Sequence, residues 1–205
     1  MPNLDAAPIL RLSHAAVVSN LRDFAGAGPV ELDLRRNAGG LGADRLAETA
    51  LTVPGVRICT EAERPGPGAT SLSTALFGRA PALALVGTVL AIKPLLVDEG
   101  VSYGYRYRAP APTRLALVTG GYAQGIVRSL GGRVDVSVAG VRCRIVGAVA
   151  MDVCMVDVAH AEVSVGDQVE FFGAAGLEPW RQATGLTAEE LLTMIGLHVR
   201  TEHLG

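Results

Sequence analysis

The spacing of apolar positions changes character near residue 80. Before it, short strand-like runs alternate with helical ones. ILRLSH (9–14) reads as a strand, Ser13 is placed to cap a helix, and Ala16, Val17, Leu21 and Phe24 fall on one face of that helix. Val30 to Leu34 alternates apolar with acidic positions, as a half-buried strand does. The loop NAGGLGAD leads into a helix from Asp44 to Leu51, Pro54-Gly55 stops it, and VRIC (56–59) is a third strand. This β-α-β-α-β run is the mark of a parallel α/β unit. Val30, Leu32, Leu34, Val56 and Ile58 present more apolar surface than two helices, at 14–25 and 44–51, can cover, which predicts a homodimer or a complex with another protein.

Residues 61–73, EAERPGPGATSLS, read as a loop or linker. From Leu83 onward the pattern is all-β: VGTVLAIKPLLV, TRLALVTGG, RVDVSVAG, VRCRIVGAVA, VCMVDVA and DQVEFFG. Gly131-Gly132 and Ala139-Gly140 lie where turns are needed. Short antiparallel strands at this spacing predict a small barrel or sandwich. A last amphipathic helix, Thr187 to Ile195, opens on a capping box, Thr187 with Glu190.

Composition narrows the function classes. A 49% hydrophobic share permits a true core, and a net charge of −2 implies no basic face for nucleic acid. The apolar run from Pro81 to Val97 is interrupted by Gly87, Lys93 and Pro94 and is strand-like, so no membrane helix is expected. The start, MPNLDAAPIL, lacks a basic region followed by an apolar one, so no secretory signal is expected. Cys59, Cys143 and Cys154 show no metal-ligand spacing, so no metal is expected; they read as reduced thiols of a cytoplasmic protein, buried as small hydrophobes. Among 18 basic residues only Lys93 is a lysine, which limits any amine chemistry to one side chain.

Four strings resemble the alanine racemase family. DEGVSYGYRYRAP (98–110) is similar to the family's GEGVSYGxTYRAP, VTGGYAQG (118–125) to VPVGYADG, RCRIVGAVAMDVCMVDV (142–158) to RCPIVGRVCMDQLMVDV, and SVGDQVEFFG (164–173) to PGDEVVLFG. STALFGRAP (73–81) resembles GIALYGLSP, the family's junction of barrel and β-domain. LSHAAVVSNLRDF and VELDLRRNAGGLGADRL resemble, more faintly, the family's first βα units. A complete β/α barrel takes about 250 residues, and only about 80 precede the β-domain here. The resemblance therefore implies an α+β chain: a truncated α/β unit, a partial TIM-like barrel over residues 1–72, followed by a small antiparallel β-barrel domain over residues 73–205.

The family racemises alanine on pyridoxal phosphate (PLP), with a Schiff-base lysine on one substrate face and a tyrosine from the other subunit on the opposite face. The cofactor supplies the electron sink and the protein supplies placement and bases. Aligning GGLGA (39–43) on the family's YGHGA puts Arg35 at the Schiff-base lysine and Gly39 at a nearby tyrosine; aligning TALFG (74–78) on xALYG puts Ser71 at the pyridine-facing arginine. The family's terminal PRVPRVY-like segment, whose tyrosine touches the phosphate, finds no match. Arginine stays protonated and makes no Schiff base, so no bound PLP is expected. Lys93 lies where the family holds no cofactor. Tyr103 matches the opposite-face base, Tyr122 the tyrosine of VGYADG, and Met151-Asp152 the pair whose methionine backbone meets substrate carboxylate. Gln124 replaces an acidic residue. The resemblance thus implies a cofactor-less binding or interaction module, with a small amino-acid-like ligand among its candidate occupants. The alternative is a residual isomerase or a cofactor-independent enzyme using the old cleft around Tyr103.

Overall fold

The computed structural model describes residues 7–66 and 68–205. Residues 1–6, most of the stretch read for a secretory signal, lie outside the described residues. The chain forms two compact units, one of residues 10–84 and 187–205, the other mainly of residues 85–186.

The first unit begins with β1 (Ile9–Ser13), α1 (His14–Ala25), β2 (Val30–Asp33), a short turn of helix α2 (Arg35–Gly39), α3 (Ala43–Ala50), β3 (Val56–Cys59) and α4 (Leu72–Leu76). Ser13 caps α1 by accepting from the Ala16 amide at 3.3 Å, as the sequence predicts. β2 and β3 pair in parallel, Val30 opposite Val56 and Asp33 opposite Cys59. The sequence pattern predicts three strands in that sheet and the structure holds two: β1 pairs instead with β12 (Arg200–Leu204). The reason lies in its alternation. Leu10 and Leu12 are fully buried while Arg11 points the other way, bonding Glu202 at 3.2 Å; a strand with one charged face suits a half-exposed position better than a doubly covered parallel sheet.

The expectation of uncovered apolar surface on these strands is corrected. Val30, Leu32 and Leu34 are at most 4% exposed within this one chain, so the correction holds for β2, while Val56 and Ile58 of β3 remain partly exposed as expected. The covering element is α4, which starts at the end of the 61–73 stretch read as a loop and packs with α1 on β2. Asn20 of α1 ties this corner together. It is fully buried, donates to the carbonyls of Ala75 (2.9 Å) and Ala80 (2.7 Å), and accepts from the Ala80 amide (2.8 Å).

The second unit is a closed antiparallel barrel of six strands. β4 (Leu83–Leu95) is followed by the two-residue strands β5 (Gly100–Val101) and β6 (Tyr107–Arg108), then β7 (Thr113–Thr119), β8 (Asp135–Val138), β9 (Val141–Val146), β10 (Val153–Asp157) and β11 (Gln168–Phe172). Neighbours run β11-β8-β9-β10-β7-β4, and β11 also pairs with β4, which shuts the ring. Closure removes free sheet edges. The β8–β9 hairpin turns on Ala139-Gly140, both at positive φ, the two-residue turn the sequence marks. Val136, Val138, Ile145, Cys154, Val156 and Val169 point inward and are at most 2% exposed. α5 (Glu178–Thr184), which the sequence pattern does not predict, packs on the barrel through Trp180, 1% exposed and edge-on to Phe172 of β11 at 5.4 Å. α6 (Ala188–Gly196) belongs to the first unit and carries the predicted capping box between Thr187 and Glu190. No helix of the described residues is long and apolar enough to cross a membrane.

Replacing Asn20 with Ala strands the buried Ala75 carbonyl and the partly buried carbonyl and amide of Ala80. We expect a loss of about 2–4 kcal/mol in unfolding free energy, checked by urea denaturation; a loss below about 0.5 kcal/mol would show that water replaces these bonds.

Candidate functional site

The site residues named from sequence fall into two groups, one in each unit. In the first unit, β2 ends at Asp33 and the chain turns into Arg35. The turn is left-handed: Arg36, Asn37 and Ala38 all have φ near +54°. Three consecutive non-glycine residues in that region are strained by about 1–2 kcal/mol each, so neighbours must hold them. The Ala38 amide donates to Leu34 O (2.9 Å), the Asn37 side chain accepts from the Ala43 amide (2.9 Å), and the Glu61 carboxylate accepts from the Arg36 amide.

This geometry fixes Arg35 against Asp33. Its Nε and Nη2 each reach one carboxylate oxygen, at 2.9 and 2.8 Å, and the Asp33 oxygen also accepts the Arg35 amide at 3.1 Å. The guanidinium holds the Asp33 carboxyl below its usual range, and the carboxylate raises the Arg35 pKa in turn. The pair lines a cavity of about 310 Å³ with Arg36, Glu61, Ser71 and Glu189. Ser71 is already engaged. Its hydroxyl caps α4, accepting from the Thr74 amide at 3.2 Å, and meets Ser73 Oγ at 3.0 Å. Ser73 in turn donates to the Glu189 carboxylate from α6. The cavity wall therefore carries two guanidinium groups and three carboxylates, and no lysine.

In the barrel unit, the segments after β7 and before β10 bring Tyr122, Met151 and Asp152 together. The Gly120 amide donates to Asp152 O (2.8 Å), Tyr122 to Ala150 O (2.9 Å) and Ala123 to Met151 O (2.9 Å). Gly121 permits this approach, since a Cβ there would run into the Met151 carbonyl. Gln124 accepts from the Gly121 amide (2.9 Å) and donates to the Asp152 carboxylate (3.1 Å), so it is the clasp of this loop pair. Tyr122 and Met151 stand 41% and 54% exposed, and Arg128 lies 5.9 Å over the Tyr122 ring. Tyr103 begins a 3-10 turn after Ser102, and its side chain lies outside the described residues.

Lys93 is exposed on β4, beside Gly100 and Tyr105. Cys154 is buried in β10, and burial pushes its thiol up to about 12, which leaves it protonated and unreactive at neutral pH. Among the described residues no group of three or more His, Cys, Asp or Glu side chains could hold a metal ion.

One polar cluster escaped the sequence reading because its members are 189 residues apart. His14, at the start of α1, stacks on His203 of β12 with ring centroids 5.1 Å apart, and His14 Nε2 lies 2.9 Å from His203 Nδ1. His14 Nδ1 meets the Thr49 hydroxyl, which itself donates to Arg45 O at 2.9 Å. That hydroxyl proton is spent, so His14 donates from Nδ1, and with both rings neutral His203 donates from Nδ1 into the lone pair on His14 Nε2. Burial first, then the charge of Arg45, lowers both pKa values, with His14 adding to the effect on His203.

A family model described as "Alanine racemase, C-terminal domain" matches residues 82–203. Alanine racemase of Mycobacterium tuberculosis (strain ATCC 25618 / H37Rv) is 35% identical over 159 residues, which is 72% of this chain and 41% of that protein. Alanine racemase of Desulforamulus reducens is 39% identical over 128 residues, 61% of this chain and 35% of that protein. The chain thus spans about two-fifths of the length of the curated relatives it matches. Among solved structures, alanine racemase from Streptomyces coelicolor A3(2) superposes with a TM-score of 0.80 at 18% identity, covering 98% of this chain and 100% of that one. The Bartonella henselae enzyme, with covalently bound pyridoxal phosphate, gives 0.78 at 16% identity, covering 97% and 100%. These two likenesses are of fold.

The histidine pair makes stability depend on pH. Both folded-state pKa values lie below the unfolded value near 6.5, so the unfolded chain binds protons more readily. The contribution is fully present above the unfolded pKa and declines as pH falls through the folded ones. Urea midpoints should be flat above about pH 7.5 and fall between about pH 6.5 and 5. His14→Phe should flatten that fall; an equal slope in wild type and variant would remove the pair from the explanation.

Proposed function

Since the chain belongs to the alanine racemase family through its C-terminal domain, we propose that it is a member without a working PLP site, serving as a non-catalytic binding or interaction module. The observation that carries this reading is the closed ion pair between Arg35 and Asp33. Arg35 occupies the position that the resemblance assigns to the Schiff-base lysine. Its guanidinium has no nucleophilic amine to offer, and Asp33 already engages it twice. The surrounding wall supports the same reading. Beside Arg35 and Arg36 it carries three carboxylates, Asp33, Glu61 and Glu189, which disfavour a phosphate dianion. Ser71, in the place of the pyridine-facing arginine, is committed to capping α4.

The barrel supplies what the module would use. Tyr122 and Met151 are exposed on a loop pair braced by Gln124, an apolar and aromatic face on a rigid support. A second copy of the chain, or another protein, would dock there, and a small amino-acid-like ligand would be the alternative occupant. No helix of the described residues is long and apolar enough to span a bilayer, which agrees with a role away from the membrane interior.

Two measurements test this. Incubation with PLP followed by borohydride reduction should leave no stoichiometric phosphopyridoxyl adduct by mass, and alanine racemisation should be absent. Arg35→Lys alone should not restore activity, because Asp33, Glu61, Glu189 and Ser71 remain. A saturable adduct on one residue of the wild-type chain, or racemisation by that single variant, would overturn the proposal.

A further inference from the structure

We infer that the barrel unit carries a second site, a pocket for a small phosphate-bearing anion walled by Arg106, Arg128 and Arg133. These arginines surround a depression of about 400 Å³, with Tyr107, Ser129 and glycine backbone completing the wall. The volume lies in the range of small-molecule pockets, about 300–1,000 Å³.

The charge pattern sets this pocket apart. Among the described residues its lining holds three guanidinium groups and no carboxylate. The cavity beside Arg35 balances two arginines with three acids, and the depression beside Lys93 sets Lys93 and Arg108 against Asp98 and Glu99. Elsewhere on the barrel, Asp135 bonds both Arg142 and Arg144, and Glu178 bonds Arg181. Among the described residues Arg106 has no ion-pair partner.

Three like charges around one concavity repel each other, and the walls focus their field into the opening. The local field is the more telling because the chain as a whole carries a net charge of −2. Neighbours hold two of the three in place. Arg133 donates to the Ala183 carbonyl at 2.9 Å, and Arg128 lies over the Tyr122 ring. Arg106, Arg128 and Ser129 are exposed, so the cations reach solvent without first being desolvated. A guanidinium presents two parallel N–H groups, which match two phosphate oxygens, and three such forks around one cavity suit a group with several charged oxygens. The Ser129 hydroxyl adds a donor of the right kind. A single pocket in an acidic chain does not offer the extended basic stripe that a nucleic-acid strand follows.

The test is calorimetric titration of the full chain with pyrophosphate, with inorganic phosphate and with a nucleoside diphosphate. Saturable 1:1 binding of pyrophosphate or the nucleotide is expected, weakened by added salt. Equal affinity for pyrophosphate and nucleotide identifies the phosphate group alone as what is read; tighter nucleotide binding adds the organic part. The double variant Arg106→Gln/Arg128→Gln should bind at least about tenfold more weakly. Ser129→Glu, which places a negative charge in the opening on an exposed residue, should do the same with an unchanged thermal midpoint. Absence of saturable binding by any of the three probes would overturn the inference. So would wild-type affinity in both variants, or tighter binding of a single-stranded oligonucleotide than of the nucleotide. The site shares no residue with the Arg35 cavity, so its outcome is independent of the PLP experiment.

Discussion

Barrel closure depends on one strand serving two neighbours. β4 gives its first half, Leu85 to Thr88, to β11 and its second half, Val89 to Leu95, to β7. To change partners it must bend. The ladder shifts register between Val89 and Ala91, and Gly87 lies at the bend with no room for a side chain, since a Cβ would press on the Thr119 carbonyl and the Phe171 ring. Without that bend the six strands would remain an open sheet with two exposed edges. The 13-residue length of β4 follows from the same requirement. Both loop systems proposed as binding sites on the barrel, the Tyr122–Met151 pair and the arginine pocket, hang from strands this closure fixes.

The barrel was legible because its strands alternate and its turns carry glycine. DVSV alternates intermediate and buried positions, and Ala139-Gly140 marks the hairpin. Elements set by distant partners were less so. α4 and α5 are only five and seven residues long, too short for a helical period to show, and both sit in glycine- and proline-containing sequence. β12 reads RTEHL, with no apolar alternation; its partner β1 and the Arg11–Glu202 pair account for it better than its own composition does. The left-handed turn at Arg36–Ala38 could not be read either, because nothing about Arg, Asn or Ala in series announces positive φ for all three.

The candidate site shows the same division. Arg35, Ser71, Tyr122, Met151 and Asp152 can be named from resemblance alone, and the structure shows what each touches. That Arg35 is neutralised by Asp33, two positions away, is the one site interaction a local reading could have offered. The clasp made by Gln124, the histidine pair and the arginine pocket all need tertiary proximity. Arg106 and Arg133 are 27 positions apart in a sequence rich in arginine, so their convergence carries no linear signal. The two cavities also differ in electrostatic type. One is internally compensated and offers an incoming anion little, while the other's described lining holds arginines and no carboxylate.

Lys93 has a practical consequence. It is the chain's one lysine, it is exposed, and it sits opposite Leu115 across the β4–β7 ladder. Amine-directed reagents therefore meet a single ε-amino group on a rigid strand of a closed barrel. A fluorophore, a spin label or a surface tether attached there would have a defined point of origin. The chain can be immobilised or observed from a known position without adding a cysteine or disturbing the three buried thiols.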